Sequence, residues 1–128
     1  MEESFTDLAF DVFARNCPSR PAFEHITGRW GSIALMALDD GALRFGVLRR
    51  RVEGVSEKML SQTLQALERD GFVLRDVVTT IPPRVEYSLT PLGVETARRM
   101  RDLIEFLESR MPEVLQAQVD YDSVKASG

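Results

Sequence analysis

A four-residue break, Val52-Glu53-Gly54-Val55, separates two short helical segments and constrains the fold more than any other feature of the chain. The segment before it reads as a helix from Phe45 to about Arg51. Ser56 then opens a second predicted helix, Glu57 to Asp70, which stops at Gly71. Two β-like runs, Val73–Thr79 and Val85–Leu89, flank the tip Ile81-Pro82-Pro83-Arg84. Ala42-Leu43-Arg44 adds a one- or two-pair strand expected to join that hairpin as its third member. Helix, Gly-containing turn, helix and hairpin is the order of a winged helix-turn-helix, mainly α with a small antiparallel β-wing. Such a module lays its second helix in a DNA major groove.

The second helix is two-sided. Leu60, Leu64 and Leu67 cluster within roughly 60° of one another on a helical projection. Lys58, Gln62, Gln65 and Arg69 fall opposite, with Ser61 on the flank. Gln pairs bidentately with adenine, and Lys or Arg with guanine or phosphate, so this face suits a groove. Residues toward the helix start reach bases first, which ranks Lys58, Ser61 and Gln62 above Arg69. Glu57 runs against the trend, because it suits the helix dipole but repels phosphate. Arg84 beside Pro83 stands where a wing reaches a minor groove or phosphate. Arg49, Arg50 and Arg51 are expected at most to position the backbone. The expected DNA-binding set is Arg44, Arg49, Ser56, Lys58, Ser61, Gln62, Gln65, Arg69 and Arg84. A solvated face of an ordinary amphipathic helix is the plainer alternative, and the turn, cap and hairpin weigh against it.

Composition at first opposes nucleic acid: net charge is −4. The distribution of charge along the chain points the other way. Arg44 to Arg84 holds eight cationic and five acidic residues, net +3, leaving −7 for the rest of the chain. Phosphate binding follows the local field rather than the molecular sum. The 128 residues suit one domain and are short for two. No apolar run approaches the roughly 20 residues that span a bilayer. Met1-Glu2-Glu3-Ser4 resembles neither a secretory signal nor a basic transit peptide, so a cytoplasmic location is expected. One Cys and one His make neither an internal disulfide nor a structural zinc site, so no metal and no cofactor is expected.

The flanks carry further apolar stripes. Phe5, Leu8, Ala9, Val12 and Phe13 fall at helical spacing and predict an amphipathic helix of about three turns, broken by Asn16-Cys17-Pro18-Ser19. Short helices are expected over Arg20 to Ile26 and Trp30 to Leu38. Thr90 and Pro91 read as the N-cap and first residue of another helix. Its stripe of Leu92, Thr96, Met100, Leu103, Ile104 and Leu107 extends to about Arg110, with Pro112 marking the end. Ala117 to Gly128 lacks clear periodicity and reads as a frayed tail.

Cys17-Pro18, Gly28-Arg29-Trp30, Arg44-Phe45-Gly46-Val47-Leu48-Arg49-Arg50, Ser56-Glu57-Lys58-Met59-Leu60 and Pro82-Pro83-Arg84-Val85-Glu86-Tyr87-Ser88-Leu89-Thr90 together resemble the HxlR family of bacterial regulators, relatives of the MarR group. The match runs from about Cys17 to Leu107. The resemblance implies a homodimeric winged helix-turn-helix transcription factor, most often a repressor, dimerising through its N- and C-terminal helices. It divides one domain, 1–128, into an N-terminal dimerisation helix (4–16), a DNA-binding core (20–89, wing 73–89), a C-terminal dimerisation helix (91–110) and the tail (117–128). The stripes agree independently, and Phe5, Leu8, Val12, Met100, Leu103 and Leu107 are the expected dimer contacts. The alternative is that both stripes close the monomer's own core. Two-fold symmetry would set the recognition helices about 34 Å apart on double-stranded DNA with a pseudo-palindromic operator.

The resemblance also implies that a cysteine before a proline near the N-terminus senses oxidants or electrophiles, and Cys17-Pro18 matches that position. Arg15 and Arg20 are near enough in sequence to supply positive potential. The competing reading is a small packed thiol. Trp30 reads as a core anchor, His25 as a lone histidine without a sequence partner, and Met59 as a packing residue. A protein-docking module without specific DNA binding is the alternative function. An enzyme is disfavoured, since Cys17 and His25 are accompanied by no oxyanion motif or phosphate loop.

Overall fold

Caps and breaks written into the sequence set the element order, and the computed structural model describes residues 4–127. A 3-10 turn, Phe5–Asp7, precedes helices α1 (Ser19–Thr27) and α2 (Gly31–Leu38). Strand β1 (Leu43–Arg44) leads into α3 (Phe45–Arg51) and α4 (Glu57–Arg69). Strands β2 (Val73–Thr80) and β3 (Pro83–Leu89) form the wing, followed by α5 (Pro91–Ser109) and α6 (Met111–Ser127).

Gly54 makes the turn between α3 and α4, at a φ of +92° that a side chain would strain. Ser56 is extended, and its hydroxyl accepts the Met59 N–H at 3.1 Å, capping α4. The other end closes as a Schellman turn. Gly71, at φ +85°, donates to Glu68 O at 3.1 Å, and Phe72 donates to Leu67 O at 2.9 Å. Thr90 then ties the wing to α5: its Oγ1 donates to Gly71 O at 2.6 Å and accepts the Gly93 N–H at 3.0 Å. The sheet runs β1-β3-β2, all antiparallel, with Leu43 opposite Tyr87 and Val73 opposite Leu89. An irregularity between Val77 and Thr79 bends the outer half of the wing.

The core forms where the leucine stripe of α4 meets α2 and α3. Leu60, Leu64 and Leu67 are buried with Ala34, Leu35, Leu38, Leu48 and Val52, and Phe72, Val73 and Ala97 complete the cluster. Each buried Leu side chain contributes about 1.5–3 kcal/mol relative to exposure. Arg101 of α5 locks the far end of α2. It donates to Met36 O at 3.3 Å and pairs with Asp39 at 3.3 Å, while Asp40 pairs with Arg51 of α3 at 3.1 Å. A cation at a helix C-terminus satisfies an orphan carbonyl and suits the dipole.

Two expectations fail at the flanks. Residues 4–16 do not form a three-turn helix; beyond Phe5–Asp7 they are turns and irregular chain. Asp11 Oδ1 accepts the Phe13 N–H at 2.9 Å, a local bond that competes with helical pairing. A short helix also needs its apolar face buried, and Phe5 and Phe13 are 77% and 88% exposed. The tail fails in the opposite sense. Pro112 lies in the first turn of α6, where a missing N–H costs nothing, and the helix continues through residues read as frayed. Gln116 donates to Asp120 at 2.9 Å, an i,i+4 bond that supports a helix with no buried residue.

Leu64→Ala is expected to lower unfolding free energy by about 2–5 kcal/mol in urea denaturation, because it empties the centre of the α4 stripe.

Candidate nucleic-acid interface

Burial of Leu60, Leu64 and Leu67 turns Lys58, Gln62, Gln65 and Arg69 outward, and all four are exposed. Ser61 is half-buried on the flank. The face is less purely polar than its projection suggests. Met59, expected to pack, is 43% exposed and lines a cleft with Gln62, Thr63 and Trp30.

Ser56 and Arg49 line one cleft at the start of α4. The Ser56 hydroxyl is an acceptor in the cap, which leaves its own O–H free to donate. Arg49 Nη1 lies 3.3 Å from Glu57 Oε1, so the carboxylate that would repel phosphate is partly neutralised across the turn. Both partners are largely exposed, and such a pair holds weakly enough to exchange. The wing repeats the pattern. Arg84 Nη2 sits 3.3 Å from Glu86 Oε1, and Arg44 is paired opposite Glu86 in the sheet. Ile81 at the tip is 93% exposed. Arg44, Arg84, Ile81 and Pro83 line one cleft between the wing and the start of α3.

Sequence reasoning missed two features beside α4. His25 does have a partner: its Nδ1 lies 2.6 Å from Asp70 Oδ2, joining α1 to the C-terminal cap of α4. Arg29 is exposed, and its guanidinium lies 4.7 Å from the centre of the Trp30 ring, in the cleft that holds Gln62. Trp30 itself is half-buried against the core. Neither contact follows a helical or strand period.

Cys17 is half-buried, and its pKa is lowered from the ordinary thiol value. The causes are, first, the Ser19 hydroxyl at 3.2 Å, then the backbone N–H of Asp11 at 3.2 Å and that of Ser19. Burial and, less strongly, the Asp11 charge oppose them. Arg15 and Arg20, expected to supply the positive potential, are not the source, and Arg20 pairs instead with Glu24 at 3.6 Å. Phe5, Leu8, Leu103 and Leu107 are exposed in the single chain, as is Phe106, while Val12 and Met100 are half-buried. Among the described residues no helix is long and apolar enough to cross a membrane.

Residues 25–115 match the family model described as HxlR-like helix-turn-helix. The chain is 51% identical to the HTH-type transcriptional regulator YtfH of Escherichia coli (strain K12) over 105 residues, 82% of this chain and 83% of the relative. Among solved structures, the transcriptional regulator ytfH of Salmonella typhimurium superposes with a TM-score of 0.80 at 49% identity. That match covers 86% of this chain and 98% of the other. The redox regulator HypR in its reduced form superposes with a TM-score of 0.69 at 35% identity, covering 78% of this chain and 98% of HypR.

Both sets of local bonds have measurable consequences. Ser56→Ala is expected to cost about 1 kcal/mol in thermal or urea unfolding, through loss of the α4 cap. Cys17 should alkylate with iodoacetamide at a pH midpoint below that of a free thiol, since the Ser19 hydroxyl stabilises the thiolate. Ser19→Ala should move that midpoint upward; an unchanged midpoint would deny the hydroxyl this role.

Proposed function

The chain belongs to the HxlR-like helix-turn-helix family and is a transcriptional regulator of the helix-turn-helix type, and from that premise we propose that it is a homodimeric, sequence-specific DNA-binding repressor acting in the cytoplasm. The observation that carries this reading is the outward face of α4, where Lys58, Gln62, Gln65 and Arg69 are exposed above a fully buried leucine stripe. In the proposed complex Lys58, Ser61 and Gln62 address base edges, and Gln65 and Arg69 follow toward the groove wall. Ser56, Arg44, Arg49 and Arg84 hold backbone phosphates, the last two by exchanging Glu57 and Glu86 for a phosphate oxygen.

Dimerisation supplies the second half-site. The exposed side chains Phe5, Leu8, Leu103 and Leu107, with Val12, Met100 and the additional Phe106, are the apolar groups a second copy would cover in this reading. Two α4 helices related by a two-fold axis then read a pseudo-palindromic operator.

Cys17 gives the repressor a redox input in this reading. HypR is a redox regulator with forms solved both reduced and oxidised, and Cys17 has the lowered pKa and partial exposure that thiol oxidation needs. With one thiol per chain, a two-electron oxidant such as diamide would join Cys17 of two protomers, or Cys17 and a small thiol. The two thiols lose their protons and electrons, and the diazene becomes the hydrazine.

The test is fluorescence anisotropy of the purified protein on its own upstream intergenic DNA and on scrambled duplex, at two salt concentrations, with and without diamide. Preferential, salt-sensitive binding is expected, with release on oxidation. Gln62→Ala should cost about 1–3 kcal/mol on the operator and relax base preference. Arg84→Ala should weaken all duplexes alike and flatten the salt dependence. Binding indifferent to salt and sequence would favour a protein-docking role for the same face.

A further inference from the structure

We propose that Arg29, outside the helix-turn-helix and the wing, is a phosphate anchor that grips the DNA backbone beside the groove entered by α4. This rests on the DNA-reading assignment of α4 and adds a contact outside its motif. Three observations converge on it.

The first is position. Arg29 lies at the junction of α1 and α2 and lines a cleft of about 380 Å³ whose opposite wall is the Met59, Gln62 and Thr63 side of α4. Gln62 also belongs to the exposed stripe. A duplex that takes Gln62 into its major groove brings a strand of phosphates along this flank of the helix, because phosphates form the edges of the groove.

The second is charge. The cationic groups chosen from the sequence are partly engaged: Arg49 faces Glu57 and Arg84 faces Glu86, each at 3.3 Å. Glu24, which lines the same cleft, and Asp70, which holds the cleft's His25, each have another partner. Glu24 pairs with Arg20 at 3.6 Å, and Asp70 takes His25 at 2.6 Å. Among the described residues Arg29 has no ion-pair partner. Its charge needs no exchange before it meets a phosphate.

The third is preorganisation. The guanidinium stacks over Trp30, 4.7 Å from the ring centre, and Trp30 is itself packed against the core. Stacking on the ring face leaves the N–H edge of the fork available for phosphate oxygens. A side chain already ordered loses less entropy on binding. Lysine carries the charge without the planar fork, so it would keep the Coulombic part and lose the geometric part.

The experiment is anisotropy of the full chain on its upstream operator and on scrambled duplex across about 50 to 200 mM salt. Arg29→Gln is expected to bind both duplexes about tenfold more weakly, with a salt slope shallower by about one and an unchanged preference for the operator. Arg29→Lys should restore the slope while leaving affinity below the parent protein's. Wild-type affinity and slope in Arg29→Gln would overturn the proposal, while the parent protein's own salt-dependent binding kept the DNA reading intact. A changed operator preference in Arg29→Gln would overturn it too, since a phosphate contact carries no sequence information. Weaker binding accompanied by a lowered unfolding midpoint and an unchanged slope would mark a structural role and overturn it. Absence of binding by the parent protein to any duplex would instead remove the DNA-reading premise.

Discussion

The structure depends on one contact: the leucine stripe of α4 seated on α2 and α3. Leu60, Leu64 and Leu67 are essentially inaccessible to solvent, as are Leu35 and Leu48 opposite them. Burying one face of a helix fixes its rotation about its own axis, so the same contact decides which side chains face outward. Lys58, Gln62, Gln65 and Arg69 are presented because the leucines are not. The Ser56 cap and the Gly71 turn fix where the helix starts and stops, and the break at Gly54 fixes its angle to α3. The outward face is therefore a by-product of core packing.

Around α4 the charged groups are held in exposed ion pairs. Arg49 with Glu57 and Arg84 with Glu86 are solvent-exposed pairs of a kind that contributes little to stability. They keep the side chains ordered without a large penalty for release. Arg101, about as exposed as Arg84, likewise pairs with Asp39 and donates to Met36 O at the C-terminal end of α2. That contact joins α5 to α2, and through Asp40 it reaches Arg51 of α3. The long helix is thus connected to α2 and α3 by ion pairs.

Local signals carried most of the architecture. Ser56, Gly54, Gly71, Thr90-Pro91 and the β-like runs on either side of Pro82 each act within a few residues, and each lies at or beside the element boundary that its chemistry implies. Even β1 was legible, as two residues preceding α3. What escaped were contacts between distant positions. His25 and Asp70 are 45 residues apart, and Arg101 and Met36 are 65 apart. Neither pair belongs to a periodic pattern. The flanks failed for a different reason. The stripe from Phe5 to Phe13 has helical spacing, yet spacing stabilises a helix only where a surface receives it, and Asp11 offers a competing local bond. In α6 the reverse holds: good helix formers and i,i+4 bonds make a helix with no stripe. Cys17 was found by its position, but the cause of its lowered pKa lay in Ser19 rather than in the neighbouring arginines.

In the proposed complex the outward face of α4 is the surface that meets DNA. The most direct measurement is a residue-resolved amide chemical-shift titration of the full chain with its upstream duplex. Perturbations should concentrate in α4 and the preceding break, with a second group at the wing tip and little change along α6. Perturbations confined to α5 and α6, with the amides of Lys58 to Gln65 unmoved at saturation, would contradict the claim.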